Sequence, residues 1–155
     1  MWILACRRMP PDATSFICML LSRKSILVDA GPLIALGTRR DGDHLAAVLW
    51  ASKAPAPLIS TWAVIAEASH FLGPRRRVLF TNIAIGALRI EEIGVPDMPR
   101  LIAILDKYPQ ADFADASLVL IAERLGITEV ATLDVTDFAI YRTGSGKAFT
   151  NVFHR

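Results

Sequence analysis

The stretch Ser25-Ile26-Leu27-Val28-Asp29-Ala30-Gly31-Pro32-Leu33-Ile34-Ala35-Leu36 decides how this chain is read. Ile26, Leu27 and Val28 form a short unbroken apolar run, the pattern of a strand buried on both faces. Asp29 follows at once, and Gly31-Pro32 interrupts the pattern as a turn. A carboxylate at the mouth of a buried strand has to be paired, capped, hydrated or bound to a cation, because burying a lone charge is too costly.

Working outward, Leu58-Ile59-Ser60, Leu88 to Ile93 and Glu129-Val130-Ala131-Thr132-Leu133 read as further strands, and Ala148 to Val152 as a last edge strand. Helices are expected between them. Pro32 to Leu36 starts a short one. Asp43 caps a second from His44 to Ser52, with Leu45, Val48 and Leu49 as its apolar face. Thr61 caps a third from Trp62 to about Leu72, stopped by Gly73-Pro74, and a fourth runs from Arg75 to Ala87. Pro96 to Tyr108 forms a fifth. The strongest helical pattern is Asp112 to Leu125, where Leu118, Ile121, Ala122 and Leu125 recur at helical spacing and Gly126 supplies the C-terminal cap. Strands alternating with helices predict an α/β fold, an αβα sandwich around a parallel sheet. In such a sheet the carboxyl ends of the strands share one edge, and sites form there. Asp29 and Asp134 both follow apolar strands, so both are expected at that edge.

At 155 residues, 53% of them hydrophobic, the chain suits one α/β domain with a well-covered sheet. Its mean hydropathy of +0.41 is high, yet no run reaches the roughly 18 apolar residues of a membrane span. A net charge of +2 falls short of the basic excess of a duplex-DNA binder. The clusters Arg39-Arg40 and Arg75-Arg76-Arg77 read as solvated charge or as a phosphate-contacting rim. Cys6 and Cys18 have no zinc-site spacing, which points to a reduced, cytoplasmic protein. Residues 1–24 differ from the rest. Arg7-Arg8, Pro10-Pro11 and the apolar run Phe16 to Leu21 imitate a signal peptide without its cleavage site. They are expected to be a disordered leader or an artefact of start-site choice, with the domain proper at 25–155.

Four segments supply acids: Asp29 in LVDAGPL, Glu67 in TWAVIAEASHFL, Asp112 and Asp115 in DFADASLVLIAERLG, and Asp134 and Asp137 in ATLDVTDF. Each has an ordinary explanation. Asp112 and Asp115 make a helix-start pair, Asp134 a post-strand turn, and Glu67, on a helix with little evident solvent face, the partner of a buried arginine. Together they lack a matching set of Lys or Arg beside them, and an oxygen-rich, histidine-poor set suits Mg²⁺ or Mn²⁺. His44, His70 and His154 have no metal-pair spacing.

Taken in order, LVDAGPLIAL, an apolar helix with one Glu, DFADASLVLIAERLG and VATLDVTDF resemble the PIN-domain nucleases, most closely the VapC-like toxins of bacterial toxin–antitoxin pairs. The likeness runs from Ser25 to about Phe149. It implies a Mg²⁺- or Mn²⁺-dependent endoribonuclease with Asp29, Glu67, Asp115 and Asp134 as the catalytic acids. Asp29, Asp115 and Asp134 would hold the metal, with Asp112 and Asp137 as supporting acids. Arg142, Arg75 and Arg76 are candidates for RNA phosphates. The resemblance also implies a homodimer and an antitoxin partner, and the apolar excess points to Phe71, Val78, Leu79 and Phe80 as interface bulk. The chain departs from the family after the first Asp. Many members carry Ser or Thr there, whereas this one has Ala30 and Gly31, which puts fine tuning of the metal site in question. The alternative is a PIN-like binding or regulatory module with little or no cleavage. A phosphatase-like reading would need a DxD, and Asp29-Ala30-Gly31 lacks the second Asp.

Overall fold

The computed structural model describes residues 25–54 and 57–153; the expected leader at 1–24, with Cys6 and Cys18, and His154 lie outside the described residues. The central strand β1 (Ile26–Val28) is buried along its whole length. Helices α1 (Ala30–Gly37) and α2 (His44–Lys53) lead to β2 (Leu58–Thr61), and α3 (Trp62–Leu72) follows without a linker. A 3₁₀ turn (Gly73–Arg76) then connects to α4 (Arg77–Ala84) and β3 (Leu88–Glu91). After a short 3₁₀ turn (Val95–Asp97) come α5 (Met98–Lys107), α6 (Phe113–Leu125), β4 (Glu129–Ala131), α7 (Val135–Ile140) and β5 (Thr150–Asn151).

The five strands are all parallel, in the order β3-β2-β1-β4-β5. The chain winds outward from β1 through β2 to β3, then returns to the other side of β1 to place β4 and β5. The direction of winding thus reverses between β1 and β4. Crossover helices leave a crevice at such a reversal, outside the carboxyl ends of the strands. The expected αβα sandwich is the observed architecture. The core is aliphatic, with Leu27, Val28, Leu33, Val64, Leu118, Val119, Ile121 and Val130 fully buried. Among the described residues no helix is long and apolar enough to cross a membrane.

Several local expectations need correction. Gly31-Pro32 is not a turn but part of the first turn of α1; there the N–H that proline lacks would have no helical partner anyway. Helix α2 buries Ala47, Trp50 and Ala51, while Leu45 and Leu49 face outward. The apolar stripe had two possible sides, and the indole decides between them: the Trp50 ring packs 5.7 Å from that of Phe153, about 100 residues away in sequence. Asp43 precedes α2 but makes no side-chain cap; its N–H instead donates to Asp41 Oδ1 at 2.9 Å. Leu79 is fully buried, which removes it from the surface bulk expected of the α3–α4 region, while Phe71 and Phe80 remain exposed. Helix α4 stops at Ala84 rather than Ala87, since the chain turns at Gly86 with φ of 73° to enter β3. The whole of α7 is additional, lying where the sequence suggested only scattered apolar residues.

Truncations on the two sides of α2 test this orientation. Trp50→Ala should destabilise the protein by about 3–5 kcal/mol, and Leu45→Ala should stay within about 0.5 kcal/mol. Urea unfolding monitored by circular dichroism distinguishes them; equal losses would mean the helix presents its other face to the core.

Candidate active site

Asp29 sits where β1 becomes α1. Its N–H donates to Ala131 O at 3.0 Å, extending the β1–β4 ladder by one rung. Its carboxylate accepts from Ala30 N at 2.7 Å through Oδ1 and from the Thr132 hydroxyl at 2.7 Å through Oδ2. Thr132 is fully buried at the end of β4, and its hydroxyl oxygen also accepts from Asp134 N at 2.9 Å. One side chain therefore joins the first and last strand-end acids across the reversal of the sheet. The hydroxyl that positions 30 and 31 lack reaches Asp29 from β4 instead. Position 31 has little room for it: a Cβ on Gly31 would lie 3.0 Å from the Leu133 Cβ.

The third acidic segment divides its work. Asp112 is the N-cap of α6 and accepts from Asp115 N at 2.9 Å, as its capping explanation requires. That leaves the Asp115 carboxylate available, and the buried Tyr141 hydroxyl donates to its Oδ2 at 2.9 Å. Asp134 caps α7 in the same way, accepting from Asp137 N at 2.9 Å. Glu67 is half-buried on α3, which does have a solvent face, formed by Trp62, Ala66, His70 and Phe71. Among the described residues the Glu67 carboxylate has neither a hydrogen-bond partner nor the arginine its ordinary explanation required. Buried hydroxyls pin the neighbouring backbone. Ser60 donates to Val28 O at 2.9 Å, the Thr61 and Ser117 oxygens are 2.6 Å apart, and Ser117 donates to Ala114 O at 2.7 Å.

The acids act on one another electrically. Burial raises the Asp29 carboxyl above the ordinary range; the bonds from Thr132 and Ala30 oppose that, and the charges of Asp112 and Asp134 add to it. Glu67 is raised by burial and by Asp29 and Asp112. Asp115 is pushed up to about 7, chiefly by burial, then against the Tyr141 bond by the charges of Asp112, Asp29 and Asp134. Burial and the Asp115 charge push the Tyr141 phenol upward too, so it stays a donor. Among the described residues the ion pairs lie elsewhere: Arg89 with Glu91, Arg100 with Glu123, and Arg124 with Glu91 and Asp97.

The structure therefore places Asp29, Asp115, Asp134 and Asp112 within electrostatic reach of one another at the carboxyl edge, with Glu67 coupled to Asp29 and Asp112. Among the described residues no three acidic or histidine side chains are close enough, as placed, to bind one ion directly. The donor set is nonetheless of the right chemistry for a hard divalent cation, being all oxygen, mutually repelling and without a basic partner. The basic candidates stand apart. Arg142 Nη1 donates to the carbonyls of Ala139, Ile140 and Tyr141 at 2.7–3.0 Å, closing the C-terminal end of α7. Arg75 and Arg76 follow the far end of α3 from its start at the sheet edge, and each guanidinium makes a local bond, to Leu72 O and Gly73 O. Sequence reasoning missed Thr132 and Tyr141 as parts of the site. The threonine had a signal, two residues before a strand-end acid; the tyrosine had none, since only the return of the chain after α7 brings it to Asp115.

Comparison with known proteins bears on the fold. Ribonuclease VapC26 of Mycobacterium tuberculosis (strain ATCC 25618 / H37Rv) is 25% identical over 132 residues, spanning 81% of this chain and 98% of VapC26. The crystal structure of Mycobacterium tuberculosis VapC20, a sarcin-ricin loop cleaving toxin, superposes with a TM-score of 0.64 at 21% identity, covering 72% of this chain and 91% of that one. The fold is that of a VapC-like PIN domain. No family model matches the chain. The Thr132 hydroxyl gives the Asp29 carboxylate a donor that the side chains at positions 30 and 31 cannot supply.

Two substitutions probe the site without a substrate. Thr132→Val leaves the Asp29 carboxylate without its hydroxyl donor and Asp134 N without its acceptor, and should cost about 1–3 kcal/mol; Thr132→Ser should recover most of it. Between its ordinary value of 3.8 and about 7, Asp115 keeps a proton in the fold that the unfolded chain has lost. Ionising it therefore opposes folding, and stability falls as pH rises through that window. Asp115→Asn should leave the melting temperature unchanged near pH 4 and raise it at pH 8 in EDTA. A clear drop at pH 8, read by thermal scanning fluorimetry, would assign Asp115 to helix capping instead.

Proposed function

We propose that this protein is a divalent-metal-dependent endoribonuclease acting as the toxin of a toxin–antitoxin pair. The observation that carries the reading is the set of acids at the β1/β4 reversal, where the charges of Asp112 and Asp134 add to burial in raising Asp29 and Asp115 and no basic side chain pairs with them among the described residues. The likeness to ribonuclease VapC26 over 81% of this chain and 98% of VapC26 supports it. Asp29, Asp115 and Asp134 are the residues that would hold Mg²⁺ or Mn²⁺, with Glu67 beside them and Asp112 and Asp137 in support. A bound divalent cation would lower the pKa of water and neutralise charge developing on phosphorus oxygens. The chain's own part is positional. Thr132 and the start of α1 hold the Asp29 carboxylate at a fixed angle, Tyr141 holds Asp115, and Glu67, which has no other partner among the described residues, would orient a water or take its proton.

The protein is further proposed to form homodimers and to bind an antitoxin, with a basic side chain of the antitoxin drawn to the acids by the field that draws a metal. Phe71, Phe80 and Ile85, exposed on and just beyond α3 and α4, supply apolar surface for association. A cytoplasmic location follows from the same reading.

Incubation of the purified protein with labelled RNA and Mn²⁺ should give discrete fragments that EDTA abolishes. Asp115→Asn and Asp29→Asn should each slow cleavage at least about 100-fold while keeping the native circular dichroism spectrum. Full activity in EDTA, or in both variants, would overturn the metal-dependent reading; no cleavage with any RNA would favour a PIN-like binding module. Light scattering at micromolar concentration should report a dimer, and a monomer would refute the association while leaving the catalytic reading in place.

A further inference from the structure

Outside the acid cluster, on the β2–β3 side of the carboxyl edge, lies a cleft of about 180 Å³. It is lined by Thr61, Trp62, Ala63, Glu91, Glu92, Ile93 and Phe113. Trp62 is 49% exposed and Phe113 54% exposed, so two large rings stand in solvent at the mouth of one small cleft. Neither ring is used by the core. Trp62 opens α3, the helix that carries Glu67, and Phe113 opens α6 directly after Asp112. The 2.6 Å contact between the Thr61 and Ser117 hydroxyls ties these two helix starts together. The cleft is therefore built on the starts of the two helices that also carry Glu67 and Asp115.

Its chemistry selects an occupant. Among the described residues no Lys or Arg lines it, and the exposed Glu92 does, so a phosphate group is disfavoured. Glu91 is already paired with Arg89 and Arg124, which leaves the cleft with aromatic faces and the Glu92 acceptor oxygens and, among the described residues, no free cation in its lining. Flat rings with hydrogen-bond donors on their edges fit such walls, and nucleobases are of that kind. We propose that this cleft binds an unpaired nucleobase of the RNA strand, stacked on Trp62 or Phe113, and so fixes which phosphodiester lies over the acids. The inference rests on the ribonuclease reading. It requires a base released from its stack, so the site takes single-stranded or looped RNA and rejects duplex.

Fluorescence anisotropy of a fluorescein-labelled RNA decamer of mixed sequence, with Ca²⁺ in the buffer, tests it. The wild type should bind the single strand more tightly than the same strand annealed to its complement. Trp62→Ala and Phe113→Ala should each weaken single-strand binding roughly 5- to 150-fold and leave duplex binding unchanged. Trp62→Phe should restore most of the loss, which a merely structural role for the indole would not explain. Single-strand affinity unaltered in both alanine variants, or a wild type that prefers duplex, overturns the proposal and leaves the cleft to a protein segment. Parallel cleavage assays in Mn²⁺ separate the two readings. Cleavage with unaltered variant binding defeats the nucleobase cleft alone; aromatic-dependent binding without any cleavage defeats the nuclease reading alone.

Discussion

The hydrogen bond from the Thr132 hydroxyl to the buried Asp29 carboxylate, 2.7 Å long, is the contact on which the rest of the site depends. It crosses the one place where the winding of the sheet reverses, between β1 and β4. On either side of it the backbone has just left a ladder, and the Asp29 N–H to Ala131 O bond carries that ladder one residue further. A carboxylate that is almost entirely buried cannot stay ionised at ordinary cost, and three factors moderate that cost here: a hydroxyl donor, a backbone donor and the start of a helix. The same hydroxyl oxygen accepts from Asp134 N, so the positions of the two strand-end acids are coupled.

A second constraint follows from the parallel sheet. Each strand ends, and the helix after it begins, at the same edge, so the positive ends of α1, α3 and α7 collect there. Asp29 and Asp134 each serve as a helix N-cap as well as a member of the acid cluster, and Asp112 does the same for α6. Capping and metal binding are therefore not rival explanations for these residues. Asp112 spends its carboxylate on the cap and frees that of Asp115, which Tyr141 then orients. The division of labour explains why an acid-rich segment yields one strongly perturbed group, with the carboxyl of Asp115 raised to about 7.

Asp29, Glu67 and Asp134 stand out locally in the sequence, as acids closing apolar runs or on an otherwise apolar helix, while Asp115 joined them only through the resemblance. The departure from the family after Asp29 was legible too, but its consequence was not. Only the tertiary structure shows that Leu133 crowds Gly31 and that Thr132, more than 100 residues later, supplies a hydroxyl to Asp29. Arg142 shows a local role that the sequence did not signal. A lone cation after an acidic motif invites a phosphate, yet its Nη1 is taken up by three carbonyls at the end of α7.

Local chemistry determined what the sequence could determine alone: which runs are strands, where Thr61, Asp112 and Gly126 start and stop their helices, and hence an alternating α/β chain whose acids fall at strand ends. Those signals act over a few residues and survive in any fold. Which face of α2 is buried, which hydroxyl holds Asp29 and which phenol holds Asp115 depended on partners distant in sequence: Phe153, Thr132 and Tyr141. Sequence periodicity has no term for such meetings, because they exist only once the sheet order β3-β2-β1-β4-β5 has brought the two halves of the chain together.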